Sequence, residues 1–517
     1  MRIFLLIFVL SSFVPAAFGQ QGLIPLHSFY KDQLFSNKSS LSYNEGSFLP
    51  VSVSDYDLTE LIKDSSKQYY TATHILFQKH LIDVKGKDFH LKISPAIDFS
   101  YGRDLSDTIS RTLFQNTRGV YVEGDLFKNF SFSTALYENQ SRNTNYETSY
   151  YTSNGEFYPQ ADSTYLSQNA FIPGATRTKP FKGDGFDYAY AVGYFVYRPF
   201  KFLRITAGNN AQFVGDGYRS MLLSDNSSSF PYYRIDWRIS SKFNFTYLRG
   251  RNSNLLRKPA SSSVESYYET KGYSVNYLTY KPTSKISVSL FESGNWNRGD
   301  SLTSKYSHPL YYNPIPFISG ALLNGKNEVS SLLGLNLSYQ FAKMHRAYGQ
   351  FALNDFDGEK IAFQLGYRGY NYFGLKDFML QLEYNYAAEN TYENDNRRLN
   401  NTHFNLPMAH VKGSGFQEVL LRSNYEWKRL YVNLSVVLIM TSNHSDKGHL
   451  PVYIQQNLSS ETILNSNTEI GYRFNRKMNL MLFANWNHRT TSLPLNPVTN
   501  AVNIGLRTGF INHYKDF

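Results

Sequence analysis

Residues 186–212 read FDYAYAVGYFVYRPFKFLRITAGNNAQ, two alternating segments joined by a short basic turn. From Phe186 to Val196 every second residue is apolar or aromatic, and most residues between them are small or polar. The alternation resumes after the turn, from Leu203 to Ala207. Successive side chains leave a β-strand on opposite faces, so a period of two indicates strands rather than helices. The stretch therefore predicts a β-hairpin.

Hairpins of this kind recur from about residue 68 to the end of the chain. Their number predicts an all-β fold, a transmembrane antiparallel β-barrel of about 18 strands, and single-chain bacterial barrels have even strand numbers. We expect the last strand near residues 502–510. The terminal Phe517 is similar to the aromatic residue that ends many outer-membrane barrels.

The connections between the predicted strands alternate in length. Short basic turns such as Arg198–Lys201 alternate with long segments rich in Ser, Asn and Tyr. The long segments are 141–185, 214–230, 251–270, 294–329, 389–416 and 441–465. Outer-membrane barrels place short turns on the periplasmic side and long loops outside. An aromatic-rich array of soluble β-sandwiches is the alternative, but it gives no reason for this alternation.

Composition agrees with a barrel. Of the 517 residues 16% are aromatic, including 42 Tyr and 39 Phe, and the mean hydropathy is −0.41. Polar inward residues offset the apolar outward ones in a barrel, so its average hydropathy is low. The mature chain has no apolar run of the roughly 20 residues that a membrane-spanning helix needs. The aromatic excess is typical of girdles at two membrane interfaces.

The chain divides into three predicted parts. Residues 1–19 resemble a signal peptide, with Arg2 as the positive charge, an apolar core and the cleavage motif Ala17–Gly19. Residues 20–65 lack sustained alternation and are predicted to be a periplasmic N-terminal extension. Residues 66–517 are predicted to form the outer-membrane barrel. The chain has no Cys, which excludes a lipid anchor at cysteine, disulfides and thiolate metal sites.

The net charge of +11 restricts the partners. Export argues against nucleic acid, and a basic outer surface would favour anionic lipopolysaccharide or acidic glycans. Lysines scattered over loops and lumen, with no common target, are the alternative. We expect a monomer.

No catalytic constellation stands out. His488 is the position to test as the base of a membrane-embedded Ser/His hydrolase, and a solvated histidine at the membrane rim is the alternative. His403, His410, His444 and His449 fall in predicted outer loops without metal-ligand spacing. We therefore predict no enzymatic activity, no metal site and no cofactor.

The densest polar segment is 208–225. Gly215 and Gly217 flank Asp216 and permit backbone angles barred to other residues, so the chain can turn sharply after its strand. The Lys-Ser/Thr ending of a phosphate-binding loop is absent. The segment either folds into the lumen as a plug or constriction held by ion pairs, or it binds sugar hydroxyls. The candidate ligand-binding or plug residues are Asp184, Asp187, Asp216, Tyr218, Arg219, Ser224 and Asp225.

Residues 213–225, FVGDGYRSMLLSD, resemble the central motif of the capsule assembly Wzi-like family. Pro173-Gly174, Lys179–Lys182 and Asp184–Tyr188 resemble its Bacteroidota branch, which includes the gliding motility protein RemB. The resemblance implies an 18-stranded outer-membrane barrel that binds surface polysaccharide like a lectin, with a lumen blocked by inward-folded segments. In the gliding branch it implies a contribution to cell movement. This chain has Phe213 and Asp216 where capsule-binding members carry Trp and Pro.

We thus expect a cell-surface barrel that binds or organises exopolysaccharide, or that serves gliding and adhesion. Its expected partners are outer-membrane lipid, lipopolysaccharide, surface polysaccharide and gliding or secretion proteins. The alternatives are a porin or diffusion channel, an outer-membrane hydrolase, and a structural component of a secretion or motility complex.

Overall fold

A computed structural model describes residues 22–36, 47–53, 71–109, 111–159, 165–257, 268–298, 308–323, 325–442, 448–453, 459–494 and 497–517. Within them, eighteen antiparallel strands close into a barrel, which confirms the predicted fold class. The barrel strands are β1 (Asp98–Asp104), β2 (Thr112–Leu126), β3 (Phe130–Arg142), β4 (Gly185–Phe200), β5 (Leu203–Asn210), β6 (Phe230–Arg238), β7 (Phe243–Arg257), β8 (Tyr268–Tyr280), β9 (Ile286–Trp296), β10 (Val329–Ala342), β11 (His345–Asn354), β12 (Ile361–Tyr370), β13 (Met379–Ala387), β14 (Phe416–Trp427), β15 (Leu430–Thr441), β16 (Thr462–Asn475), β17 (Leu480–Thr491) and β18 (Val498–Arg507).

Strands that follow one another in the chain are neighbours in the sheet, and β18 pairs with β1 to close it, for example Val502 opposite Arg103. A short strand at Phe89–Pro95 pairs with the second half of β2, next to the half that pairs with β1. The strand Ile82–Lys85 pairs in turn with Phe89–Pro95. Short connections such as the turn between Trp427 and Leu430 lie at one end of the barrel, which we call the turn end. The long loops lie at the opposite end, which we call the loop end.

Smaller elements occur between the strands. The helices are α1 (Ser28–Ser36), α2 (Thr71–Phe77), α3 (Asn145–Ser153) and α4 (Ile318–Leu323). The 3₁₀ turns are Pro309–Tyr312, Tyr372–Gly374 and Arg397–Leu399. The other short strands are Phe48–Leu49, Phe157–Pro159, Tyr165–Ser167, Arg177–Phe181, Phe213–Val214, Thr402–His403 and Leu406–Pro407. No helix among the described residues has both the length and the apolar character to cross a membrane.

The two faces of the wall differ as a barrel in lipid requires. On β12, Leu365 is 61% exposed on the outside, whereas its neighbour Gln364 is fully buried inside. Aromatic side chains pair on the outside at the turn end, for example Phe243 with Tyr280 at 4.6 Å between ring centroids. Apolar outer faces and aromatic residues at the rim are typical of barrels that contact lipid.

Strand β4 reverses this rule over part of its length. Its aromatic face, with Tyr188 and Tyr190, is buried inside the barrel, and small residues such as Ala191 face outward. The inward rings meet other aromatic rings: Tyr190 packs against Tyr137 of β3 at 5.6 Å. The alternation in residues 186–197 therefore predicts the strand correctly, but its apolar face contacts the contents of the lumen.

The N-terminal residues provide part of those contents. We predicted residues 20–65 to be a periplasmic extension, but their described parts, 22–36 and 47–53, lie inside the barrel. Phe48 is completely buried, pairs with Val214 and packs on the inward Tyr277 at 5.6 Å. Burial of apolar side chains such as Phe48 among inward residues accounts for this position. The sheet of the barrel begins with the short strand at Ile82–Lys85, and the first of the eighteen long strands begins at Asp98. The predicted signal peptide, residues 1–19, lies outside the described residues.

The C-terminal residues also enter the lumen. Strand β18 ends at Arg507, three residues earlier than predicted, and residues 508–517, which we call the tail, turn inward. Phe517 is 3% exposed and stacks on Tyr150 of α3 at 3.8 Å. The terminal aromatic residue thus packs inside the barrel and does not end a strand.

Candidate functional site

A loop between β5 and β6, residues 211–229, folds into the lumen, and we call it the central loop. Gly215 has φ +135°, a backbone conformation that favours glycine. Its amide donates to the Ser47 carbonyl at 2.8 Å, and a Cβ on it would lie 2.5 Å from Nε2 of Gln350. A Cβ on Gly217 would lie 2.6 Å from the Arg219 carbonyl oxygen. Glycine is required at position 215 by the backbone angle and at position 217 by the lack of space for a Cβ.

Asp216, between the two glycines, is 2% exposed. Its carboxylate accepts hydrogen bonds from the Ser47 hydroxyl at 2.6 Å and from Nη1 of Arg346 at 2.7 Å. Ser47 belongs to the N-terminal segment and Arg346 to β11, so Asp216 joins that segment, the central loop and the wall.

Arg219 is the most heavily paired side chain of the central loop. Its Nη2 lies 3.1 Å from Oε2 of Glu418 on β14, and its Nη1 lies 3.1 Å from Oδ1 of Asp516 in the tail. The side chain is 3% exposed. Burial alone would lower the pKa of Arg219, but the two carboxylates raise it above its usual value. Arg219 therefore stays charged and ties the central loop to the wall and to the tail.

The tail contacts the central loop at further points. The Tyr218 hydroxyl donates to Asp516 at 3.0 Å, and the Tyr514 hydroxyl donates to Asp225 at 2.6 Å. The amide of Ser224 donates to the Met408 carbonyl at 2.7 Å. Met408 belongs to the loop 388–415, which also enters the lumen. Five of the seven predicted residues thus lie in the central loop and fasten it inside the lumen, namely Asp216, Tyr218, Arg219, Ser224 and Asp225.

The other two predicted residues lie elsewhere. Asp184 pairs with Arg142 at 2.7 Å and with Arg111 at 3.4 Å, and about a third of its side chain is exposed. Asp187 is exposed and accepts from Gln140 at 3.3 Å. The structure does not bring this pair into the network around Arg219.

Two histidines predicted to lie in outer loops are buried in the lumen. Nδ1 of His403 accepts from the Ser253 amide at 3.0 Å, and its Nε2 lies 3.1 Å from the Ser229 carbonyl, which fits one neutral tautomer. Burial lowers the pKa of His403 to about 3. His410 lies 3.1 Å from Glu418, and burial lowers its pKa as well.

His449 and His488, the other described candidates, contact neither His403 nor His410 in any hydrogen bond or ring pair. His449 contacts Asn154 at 2.7 Å, and His444 lies outside the described residues. His488 lies on β17 beside the exposed Trp486, with 6.2 Å between ring centroids. Among the described residues no group of three or more His, Asp or Glu side chains could hold a metal ion.

Inward arginines, which sequence reasoning missed, hold the N-terminal segment. Arg234 lies over the Phe48 ring at 4.2 Å, Arg473 over Phe29 at 3.9 Å and Arg368 over Phe35 at 4.4 Å. A guanidinium over an aromatic face is attracted by the ring quadrupole. The sequence contains a signal for this role, because each of these arginines occupies an inward position of an alternating strand.

A cavity of about 400 Å³ remains between these segments and the wall of β14–β18 and β1–β4. Its wall is rich in asparagine amides, namely Asn424, Asn433, Asn467, Asn485, Asn487 and Asn503. Neighbouring strands present them side by side: Asn485 donates to Asn467 at 2.7 Å. Tyr137, Tyr188 and Tyr190 line the same cavity. We call it the amide cavity.

Several polar atoms of the amide cavity have no protein partner among the described residues. They include the buried hydroxyl of Tyr137 and Oδ1 of Asn487. The volume is within the roughly 300–1,000 Å³ of small-molecule sites. Amides both donate and accept hydrogen bonds, as hydroxyl groups do. The cavity can therefore hold a hydroxyl-rich molecule or water.

The fold and the lumen define a closed β-barrel of the outer-membrane type that carries chain segments inside. No protein-family model and no curated protein matches the sequence. The fold is similar to Wzi, an outer-membrane protein involved in group 1 capsule assembly in Escherichia coli and described as a carbohydrate-binding β-barrel. The TM-score is 0.54 at 11% identity, over 94% of this chain and 99% of that one. This likeness establishes a shared fold.

Two structures of Pseudomonas aeruginosa proteins also match. OpdK with vanillate gives a TM-score of 0.42 at 11% identity, over 81% of this chain and 98% of that one. OccK2 in complex with glucuronate gives 0.43 at 9% identity, over the same shares of the two chains, 81% and 98%.

Proposed function

We propose that the protein is exported to the outer membrane by residues 1–19 and binds surface polysaccharide there without catalysing a reaction. The outward apolar face of the barrel supports the location, and the predicted signal peptide supports the export. The fold likeness to a carbohydrate-binding capsule barrel and the resemblance of residues 213–225 to that family's motif support the ligand class. Partners in this proposal are lipopolysaccharide and surface glycan.

One observation carries the proposal: the lumen holds locked chain segments and an amide-lined cavity. Arg219, Asp216 and Asp225 use their charges on internal partners, so we assign them to locking these segments. Asn485 and its neighbours present amides to a cavity in which polar atoms lack protein partners. Amides that bind hydroxyls and tyrosine rings that pack on sugar rings are suited to a neutral stretch of glycan.

Substitution of cavity amides tests the proposal. Asn485→Leu and Asn433→Leu each remove hydrogen-bonding groups from the amide cavity and keep a similar volume. Asn209→Leu is the matched control, since Asn209 lies on the outward face of β5 and does not line the cavity. Purified protein in detergent is assayed against an array of capsular polysaccharides and lipopolysaccharides, with titration calorimetry on the best ligand. We expect about tenfold weaker binding for the cavity variants and no change for the control.

Binding that is equal in all three variants would remove the amide cavity from the proposal. Absence of binding by the unaltered protein to every glycan would remove polysaccharide binding itself. The porin alternative is tested separately in planar bilayers. The locked segments predict small conductance, and a large steady conductance would favour the channel.

We place gliding and adhesion second, on the resemblance of residues 173–188 to the gliding branch. Loss of the protein should then reduce both polysaccharide retention and cell spreading. Unchanged retention and unchanged spreading would contradict both roles. Copurification of motility or secretion proteins without any glycan binding would favour a structural role in such a complex.

A further inference from the structure

Three polar side chains on the outside of β7, β8 and β9 are buried, although outward positions of a barrel normally face lipid. Leu248, Val275 and Phe291 pack inside the barrel in one cluster with Phe48 of the N-terminal segment. Their strand neighbours Arg249, Asn276 and Glu292 must therefore point outward. Yet these three are only 1%, 3% and 5% exposed.

The segment 308–323, from the loop between β9 and β10, covers them, and we call it the saddle. Nε of Arg249 donates to the Tyr311 carbonyl at 2.5 Å, and its Nη2 donates to the Asn313 carbonyl at 2.7 Å. Nδ2 of Asn276 donates to the Asn313 carbonyl at 3.3 Å and to Oε2 of Glu292 at 3.1 Å. An arginine exposed to lipid on the outer face of a barrel is destabilising, so these contacts have a strong physical reason.

The contact between saddle and wall is closely packed. Trp296 at the end of β9 is 1% exposed, donates to the Ser274 hydroxyl at 2.7 Å and meets the Tyr311 ring edge-on at 5.8 Å. It forms an apolar cluster with Tyr311, Leu323 and Val329. A Cβ on Gly272 would lie 3.2 Å from both Trp296 and Tyr311, so the glycine permits this approach.

The opposite face of the saddle is apolar and exposed. Its residues are Tyr312, Ile315, Ile318 and Leu322, which are 56%, 56%, 38% and 56% exposed. Four large apolar side chains on one short segment form a patch that needs an explanation.

The outer belt of the barrel supplies that explanation. On β10 the outward residues are apolar from Leu333 to Phe341. Counted from the turn end, β8 has two apolar outward residues, Tyr280 and Leu278, and the next outward residue is the polar Asn276. On β9 the last apolar outward residue from the turn end is Leu290, and the next outward residue is Glu292. The apolar belt is short on β7–β9, and the saddle lies over the polar residues where it ends.

We propose that the saddle is a membrane-contacting surface: Tyr312, Ile315, Ile318 and Leu322 lie against lipid hydrocarbon and complete the apolar belt over β7–β9. The occupant is lipid because the patch is continuous with the lipid-facing wall and shields buried charges from it. The inference rests on the proposed membrane location.

Site-directed spin labelling tests the inference, because the chain has no native cysteine. Single labels are placed by Ile315→Cys and Leu322→Cys on the saddle. Leu365→Cys, 61% exposed on β12, is the lipid-facing control, and Tyr453→Cys, 74% exposed in an outer loop, is the aqueous control. Collision rates with oxygen and with a water-soluble nickel chelate are measured in proteoliposomes.

We expect the oxygen-to-nickel collision ratio at 315 and 322 to match that at 365 and to exceed that at 453 severalfold. A ratio equal to that at 453 would overturn the inference, and so would protection from both reagents, which would indicate a protein partner or a second copy. A water-accessible label at 365 would instead overturn the membrane location. The two failures are therefore distinguishable.

Discussion

Removal of the Arg219 guanidinium should release the central loop from the tail. Arg219→Met keeps most of the side-chain length and leaves Glu418 and Asp516, both buried, without their cation. Breaking a buried ion pair by removing one partner costs about 3–5 kcal/mol. The lower end applies here, because Glu418 still accepts from Asn385 at 2.8 Å and Asp516 still accepts from Tyr218 at 3.0 Å. About 3 kcal/mol corresponds to roughly two powers of ten in the equilibrium between locked and released loop.

The assay is hydrogen exchange of the backbone amides from Met221 to Ser224, read by mass spectrometry on the protein in detergent. These amides are bonded inside the lumen, for example Met221 to the Gln350 side chain at 2.7 Å, so release of the loop should expose them. We expect roughly hundredfold faster exchange in Arg219→Met. Arg118→Met, at an exposed position of β2, is the matched control and should stay within about 0.5 kcal/mol.

A double-mutant cycle separates the tail contact from the rest. Asp516→Asn removes one of the two carboxylates, and the double variant Arg219→Met/Asp516→Asn should cost less than the sum of the single changes by about 0.5–3 kcal/mol. Additive effects would mean that Arg219 and Asp516 do not depend on each other. Unchanged exchange in Arg219→Met would refute the lock altogether.

Two further changes test the lumen. Gly215→Ala should lower the free energy of unfolding in urea by about 1–3 kcal/mol, because φ of Gly215 is +135° and the Gln350 side chain fills the space of a Cβ. Gly358→Ala is the control and should cause no such loss, because a Cβ on Gly358 would have no neighbouring atom within 4 Å. Burial lowers the pKa of His403 to about 3, so between pH 6.5 and 3 the unfolded chain binds a proton that the folded chain excludes. The free energy of unfolding should therefore decrease as the pH is lowered, by up to about 2 kcal/mol from pH 6.5 to pH 5. The decrease should be smaller in His403→Leu.

Local pattern was sufficient to predict the wall of the barrel. Period-two alternation is a property of each strand alone, and turn length decides which ends lie together, so strands such as β14 and β15 could be placed from sequence. The resemblance of residues 213–225 implied the inward loops, and the glycines around Asp216 allowed for them. Strand ends such as Arg507 were placed within a few residues.

The positions of the N-terminal segment and of the tail in the lumen could not be predicted, because they depend on contacts between distant residues. In the chain, the five barrel strands β1–β5 lie between Phe48 and Arg234, and neither residue shows where its partner lies. Asp516 follows the last strand but pairs with Arg219. Residues 22–36 show no alternation, and the absence of a strand pattern does not distinguish an extension outside the barrel from a segment inside it.

Departures from alternation are the signal that sequence reasoning left unused. Tyr188 and Tyr190 face inward on β4, where an aqueous lumen would favour polar residues, and each packs against buried aromatic rings. Arg249 and Glu292 face outward, where lipid would exclude charge; the saddle contacts Arg249 directly, and Glu292 is buried beside Asn276, which the saddle also contacts. Either departure is costly unless another part of the chain covers it. Outward charges such as Asp187 and Arg118 are exposed towards the loop ends of their strands, so charge on the outer face alone does not indicate a cover. Where such a side chain is buried, as Arg249 is, a chain segment packs on it.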